Sequence, residues 1–340
     1  IIATVGGATY LTRHELGVVL QPSTGRLFGE ATLHVEGLED GELTLRLAPG
    51  FALQDVKWND GGTWRDARIG PGAIGGQGRT RWTVATGDAQ VGSTVLELSW
   101  AGRPGPREEA RARAEVGAAW RYLDERGAVL APLGGWYPTA SQGTSRFVLE
   151  VTAPNDWEVV AEGEPVFAEG EAGTRVTRYE VPHTVPGMHL VAGPWQRTER
   201  EHRNGKVAIY HRPDAEGAAV RRTLLAMRKQ IDALIAEAGP WSWPRLAWVQ
   251  HPFVDLLAAP GLTLIGPERW AEVVDDRDAV LRLVARAWWP GSVYPGRGRE
   301  RVWAEGLARF VSEHRLRAAG GDAELGEARR ARLWRLQGKE

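Results

Sequence analysis

The sequence predicts an α+β protein with two domains, an antiparallel β domain over residues 1–203 and a domain of strands and helices over 204–340. Three observations carry this. Apolar and polar residues alternate with period two through the first half, the pattern of half-buried strands. After residue 204 the apolar period lengthens to that of a helix. Between them, Glu199-Arg200-Glu201-His202-Arg203-Asn204-Gly205 is polar and turn-like. A chain of 340 residues is also long for one ordinary domain.

In the first half the alternation is clearest at Ala31–Val35, Glu42–Leu47, Thr94–Leu98, Arg146–Val151 and Thr174–Tyr179. Pro49-Gly50, Asp60-Gly61-Gly62, Gly134-Gly135 and Pro154-Asn155 supply the turns between strands. The glycine-rich stretch Gly70–Gly78 reads as a long loop without the strand–glycine–helix context of a phosphate cradle. Arg107–Arg113 reads as a solvated charged run. In the second half a strand at Val207–Tyr210 precedes a helix. Val220, Leu224, Met227, Ile231 and Leu234 form one stripe of it, and Gly239-Pro240 stops it. Short strands follow at Leu246–Gln250 and Leu262–Ile265, then helices over about 276–289, 299–319 and 323–337.

Composition removes several function classes. Hydrophobic residues are 43% and charged residues 25%, which suits a packed globular core. Lys and Arg number 42 against 43 Asp and Glu, so no broad basic face for nucleic acid is expected. There is no cysteine, which excludes disulfides, thiolate metal sites and a cysteine nucleophile, and leaves the compartment open between cytoplasm and cell envelope. No window has the roughly 20 apolar residues of a spanning helix, so this segment is not expected to insert in a membrane. The start at Ile1 is read as that of a processed form or a piece of a larger chain.

Four segments in order resemble one family. Gly239-Pro240-Trp241-Ser242-Trp243-Pro244 resembles the GPYPYP segment of the aminopeptidase N-like zinc metallopeptidases, the gluzincin family of membrane alanyl aminopeptidases. Ala259-Pro260-Gly261-Leu262-Thr263-Leu264 resembles its ENPGLIT segment, which follows the amine-recognition loop. Trp288-Trp289-Pro290-Gly291-Ser292-Val293 resembles the WWGNxV that closes the zinc helix. Trp303-Ala304-Glu305-Gly306-Leu307-Ala308-Arg309-Phe310 resembles WLNEGFARY, which carries the third zinc ligand. Trp136-Tyr137-Pro138, Val151–Pro154 and Trp157 look like the family's N-terminal β domain. The resemblance implies a β sandwich or saddle followed by a thermolysin-like α+β domain, here truncated. Similar regions occur fused to bacterial membrane transporters, so it also implies covalent membership of a larger, membrane-associated chain.

The family's chemistry needs HExxH on a helix, two imidazoles for zinc and a glutamate as general base. Counting from Trp288-Trp289 puts these positions at Arg282, Leu283 and Arg286. Eighteen residues then separate Arg286 from Glu305, the family's spacing to the third ligand, so both anchors agree on the register. The segment reads Arg-Leu-Val-Ala-Arg. The amine-recognition loop falls on Leu257, Ala258 and Ala259, with Ala258 where the family's glutamate grips the substrate amine. None of the eight histidines is four residues from another, and all are expected to be surface or satisfied core groups.

Two readings of the arginines stay open. In one, a guanidinium stands in for zinc and Arg286 pairs with Glu305, which a buried carboxylate would require. In the other, Asp278, Arg282 and Arg286 form a solvated ladder at i, i+4, i+8. Most of the 16 tryptophans are expected in the core, with Trp243, Trp270 and Trp289 as candidates for lining a residual cleft. The expected function is therefore an inactive aminopeptidase-like module that binds peptide or protein, or acts as a scaffold in a larger protein, with no cofactor and with zinc lost. The alternative is a zinc aminopeptidase whose ligands lie elsewhere. A serine hydrolase is disfavoured, because no G-x-S-x-G elbow occurs.

Overall fold

The computed structural model describes residues 9–38, 41–74, 79–86, 92–106, 120–140, 143–171, 173–203, 205–252, 254–292 and 301–320. Within these, the side chains at 60, 169, 237, 238, 274, 275, 277, 289–292, 301–305 and 316–320 lie outside the description. The charged run at 107–113 and the expected helix at 323–337 fall outside the described residues. The protein is mostly β, with several sheets and few helices. It divides into two compact units, residues 1–196 and 197–340. The strand Gln196–His202, expected with the β domain, runs beside Gly205–His211 in the second unit's sheet, so the division precedes the polar turn at 203.

The first unit is built on an eight-stranded sheet. Its order is Glu164–Glu169, Thr174–Glu180, Arg146–Pro154, Tyr10–Gln21, Arg26–Leu38, Gly92–Gly102, Phe51–Asp60, Thr63–Asp66. The sheet is not wholly antiparallel as expected: Tyr10–Gln21 pairs in parallel with Arg146–Pro154, with Leu16 opposite Leu149. A parallel neighbour needs a long crossover, and here most of the unit lies between the two strands. The other sheets of the unit are Arg121–Asp124, Gly127–Leu130, Leu190–Gly193, Glu158–Ala161, and Glu42–Leu47, Thr80–Ala85, Arg68–Ile69. Within the stretch read as a loop, Ala73–Ile74 pairs with Thr80–Ala85.

The Trp136-Tyr137 motif anchors this unit's core. Trp100 donates its indole N–H to the Trp136 carbonyl at 2.9 Å, and Trp136 donates its own to the Met188 carbonyl at 3.2 Å. The Tyr137 hydroxyl accepts the Met188 N–H at 3.1 Å. Gly29 makes room for Trp100, since a Cβ there would lie 2.2 Å from the indole. Buried Arg121 ties three loops through the carbonyls of Pro104, Gly134 and Pro49. On the opposite side of the sheet, Gly17 stands between Glu30 and Glu150 on its neighbours and leaves a hollow of about 600 Å³.

His14 is the least satisfied residue of the core. It stacks on Phe147 with centroids 4.5 Å apart and meets Tyr137 edge-on at 5.7 Å, and neither ring nitrogen has a hydrogen-bond partner among the described residues. Burial pushes its pKa from 6.5 down to about 3, the Pro138 carbonyl opposing only in part. The unfolded chain therefore takes up the proton first, and stability falls as pH drops from about 6.5 toward about 3. Replacing the imidazole by an aromatic hydrocarbon ends both liabilities. His14→Phe is expected to raise stability by about 1–3 kcal/mol at neutral pH and to flatten the loss between pH 6 and pH 4. Urea denaturation across that range checks it; an unchanged pH slope would contradict it.

The second unit has a five-stranded sheet, in order Gln196–His202, Gly205–His211, Arg245–Gln250, Leu262–Ile265, Leu256–Ala259. Gly205–His211, Arg245–Gln250 and Leu262–Ile265 run parallel, while Leu256–Ala259 is antiparallel and forms one edge. Its helices are α1 (Gly217–Ala238), α2 (Pro267–Asp275), α3 (Arg277–Ser292) and α4 (Arg301–Gly320). The predicted stripe Val220, Leu224, Met227, Ile231 and Leu234 is buried on α1, which ends at Gly239 with φ 93°. Arg315 of α4 donates to the Ala233 carbonyl near the end of α1 at 3.0 Å. Among the described residues no helix is long and apolar enough to cross a membrane.

Candidate functional site

The segments singled out in the sequence meet in the second unit. Helix α3 packs against α1, α2 and α4 and against the edge strand Leu256–Ala259 and its neighbour Leu262–Ile265. The positions read as a degenerate amine-recognition loop are therefore not a loop. Leu257 and Ala259 point inward at 5% and 3% exposure, and Ala258 points out. A tight turn at Pro260-Gly261 closes this hairpin. Gly261 has φ 66°, and a Cβ there would approach the Arg245 carbonyl to 2.9 Å, so glycine is required.

Asp276 starts α3. Its Oδ1 accepts the N–H groups of Asp278 at 2.8 Å and Ala279 at 3.1 Å, satisfying two of the donors a helix start leaves free. Its Oδ2 lies 3.6 Å from the Arg282 guanidinium. This residue escaped the sequence reading, although an Asp three residues before an apolar run is a helix-start signal. Upstream, Arg269 of α2 reaches Asp255 at 3.4 Å and so holds α2 to the start of the edge strand.

Along α3 the side chains of Ala279, Val280, Leu281, Leu283, Val284, Ala285, Ala287 and Trp288 are all buried. Trp288 meets Trp241 with centroids 4.9 Å apart. Arg282 and Arg286, one turn apart, are only half-buried and mark the helix's one open stripe. The structure thus brings Arg282, Leu283 and Arg286 together with Leu257–Ala259. Glu305 belongs to α4, but its side chain, like that of Trp289, lies outside the described residues, so the Arg286–Glu305 pair does too. Trp243 and Trp270, offered as cleft lining, are 1% and 7% exposed and belong to the core.

The fold implies a test for zinc, and the residues at these positions do not fit it. A guanidinium stays protonated and offers no lone pair, and Leu283 has no donor atom. Among the described residues, no three His, Cys, Asp or Glu side chains are grouped to hold a metal. The histidines are engaged elsewhere. His251, fully buried, accepts the Val254 N–H at 3.0 Å, and His211 bonds Thr198 at 3.0 Å. His202 and Arg203 both reach Asp232. Burial alone would raise the Asp232 pKa, but the His202 hydrogen bond and the Arg203 charge hold it below its ordinary value.

No family model matches the sequence, and no curated protein matches it. Solved structures do. The M1 zinc metallopeptidase from Deinococcus radiodurans is 17% identical, with TM-score 0.72 over 100% of this chain and 78% of that one. A two-domain M1 zinc metallopeptidase mutant bound to L-arginine is 18% identical, with TM-score 0.73 over 96% and 75%. A Deinococcus radiodurans mutant bound to a Tyr-Ser-Ala substrate is 17% identical, with TM-score 0.71 over 97% and 75%. The chain is similar in fold to the M1 zinc metallopeptidases.

The Asp276 cap can be tested apart from any function. Asp276→Ala is expected to lower stability by about 1 kcal/mol and to speed amide exchange in the first turn of α3. Asp276→Asn keeps a capping oxygen and is expected to lose much less. Equal losses in the two variants would show that the charge next to Arg282, rather than the cap, matters.

Proposed function

We propose that this chain is a catalytically inactive M1-like module, a β saddle over 1–203 and a truncated thermolysin-like domain over 204–340, that binds peptide or protein as part of a larger, membrane-associated chain. One observation carries the reading. On the helix where the M1 register puts two imidazoles and a carboxylate, the chain has Arg282, Leu283 and Arg286. Leu283 is 4% exposed and serves packing. Ala258, at the amine-gripping position of that register, has no carboxylate. What such a domain keeps, once its reactive groups are replaced, is a concave surface beside an edge strand, and binding sites favour such surfaces.

The experiment is a zinc titration of the intact chain, followed by dialysis, elemental analysis and an assay on aminoacyl substrates. Substoichiometric zinc and no chelator-sensitive hydrolysis are expected. One tightly held zinc per chain with hydrolysis abolished by a chelator would overturn the proposal in favour of a zinc aminopeptidase.

A further inference from the structure

The open stripe of α3 has a definite chemistry. From Ala279 to Trp288 every side chain other than Arg282 and Arg286 is apolar and buried. Both guanidiniums therefore project from the one side of the helix that the unit does not pack. Arg282 has Asp276 at 3.6 Å, longer than the 2.7–2.9 Å of a strong charge-assisted hydrogen bond, and Asp276 Oδ1 is already engaged in the cap. Each guanidinium presents five donors in a planar fork that suits a carboxylate. Beside this helix lies the edge strand Leu256–Ala259, last in the sheet order, with small, uncharged Ala258 exposed. An edge strand is a template for an added extended segment.

We propose that α3 and this edge strand together take an extended acidic segment of a partner protein, with carboxylates at alternate positions seated on Arg282 and Arg286. This rests on the peptide-binding reading above and names its ligand class. The spacing agrees. Alternate residues of an extended chain lie about 6.7 Å apart on one face, and residues one helical turn apart are separated by about 5.4–6 Å. Carboxylates on adjacent residues would point to opposite faces, and only one of them could reach the stripe. Where M1 enzymes bear a metal cation, the ligand here meets two organic cations that fix a pair of anions.

The test uses the intact chain and labelled decapeptides in fluorescence anisotropy at low and high salt. One peptide carries Glu at alternate positions, one carries Gln at those positions, and one carries two adjacent Glu. The alternating Glu peptide is expected to bind at least about tenfold more tightly than the Gln peptide, with a preference that shrinks in salt. Arg282→Ala with Arg286→Ala is expected to abolish that preference, and the double Lys variant to restore part of it. Thermal melts confirm that the half-buried positions tolerate the changes. If Glu and Gln peptides bind wild type equally, or the double Ala variant keeps the preference, the acidic-ligand proposal is overturned while peptide binding stands. If the panel fails to bind at all, the acidic-ligand proposal falls and the peptide-binding reading falls with it.

Discussion

Burial of α3 is the constraint on which the second unit's organisation depends. The helix meets three other helices and two strands, and eight of its ten residues from Ala279 to Trp288 are buried and apolar. Val280, Leu281, Leu283, Val284 and Trp288 each stabilise by about 1.5–3 kcal/mol on full burial. The Asp276 cap contributes about 1 kcal/mol. Packing therefore sets the rotation of the helix, and capping sets where it begins. Once that rotation is fixed, only one stripe faces outward, and its occupants are Arg282 and Arg286.

The same constraint separates fold from chemistry. At 17% identity the M1-like architecture persists over the whole chain. A core tolerates wide apolar substitution when volume and pattern are kept. A reactive site has no such latitude, because it needs particular atoms at particular distances. Leu283 shows the difference. It is compatible with the packing of α3, whereas a carboxylate at 4% exposure would be costly without a partner. Ala258 likewise preserves the hairpin with Leu262–Ile265 and removes the group that would grip an amine.

Much of the architecture was legible in the sequence, and the misses have physical causes. The α1 stripe, the strands Glu42–Leu47 and Leu262–Ile265, and the stop at Gly239 follow directly from period and punctuation. Tyr10–Gln21 was missed because buried His14 breaks its apolar alternation and a bulge near Leu11 shifts its register. Its parallel pairing with Arg146–Pro154 is a long-range feature with no local signature. Leu256–Ala259 lacks a polar alternation, so only its partner strand shows that it is one. Helix α2 was overlooked because it is short, although Pro267 at its first turn is a start signal. At the site, spacing alone set the register of Arg282, Leu283, Arg286 and Ala258. The burial of Trp243 and Trp270 could not be read locally, since a large aromatic ring suits a core and a cleft wall alike.

The central claim is that α3 occupies the place of a zinc helix while bearing none of its chemistry. Rebuilding that chemistry tests it most directly. Arg282→His, Leu283→Glu and Arg286→His together would restore two imidazoles one turn apart and the intervening carboxylate. The Arg282→His, Arg286→His double variant is the companion, because it leaves Leu283 to pack. Both are loaded with zinc, dialysed and analysed for metal beside wild type. Stoichiometric zinc in either folded variant and not in wild type is the predicted result. Folded variants that hold no more zinc than wild type would contradict the assignment of α3.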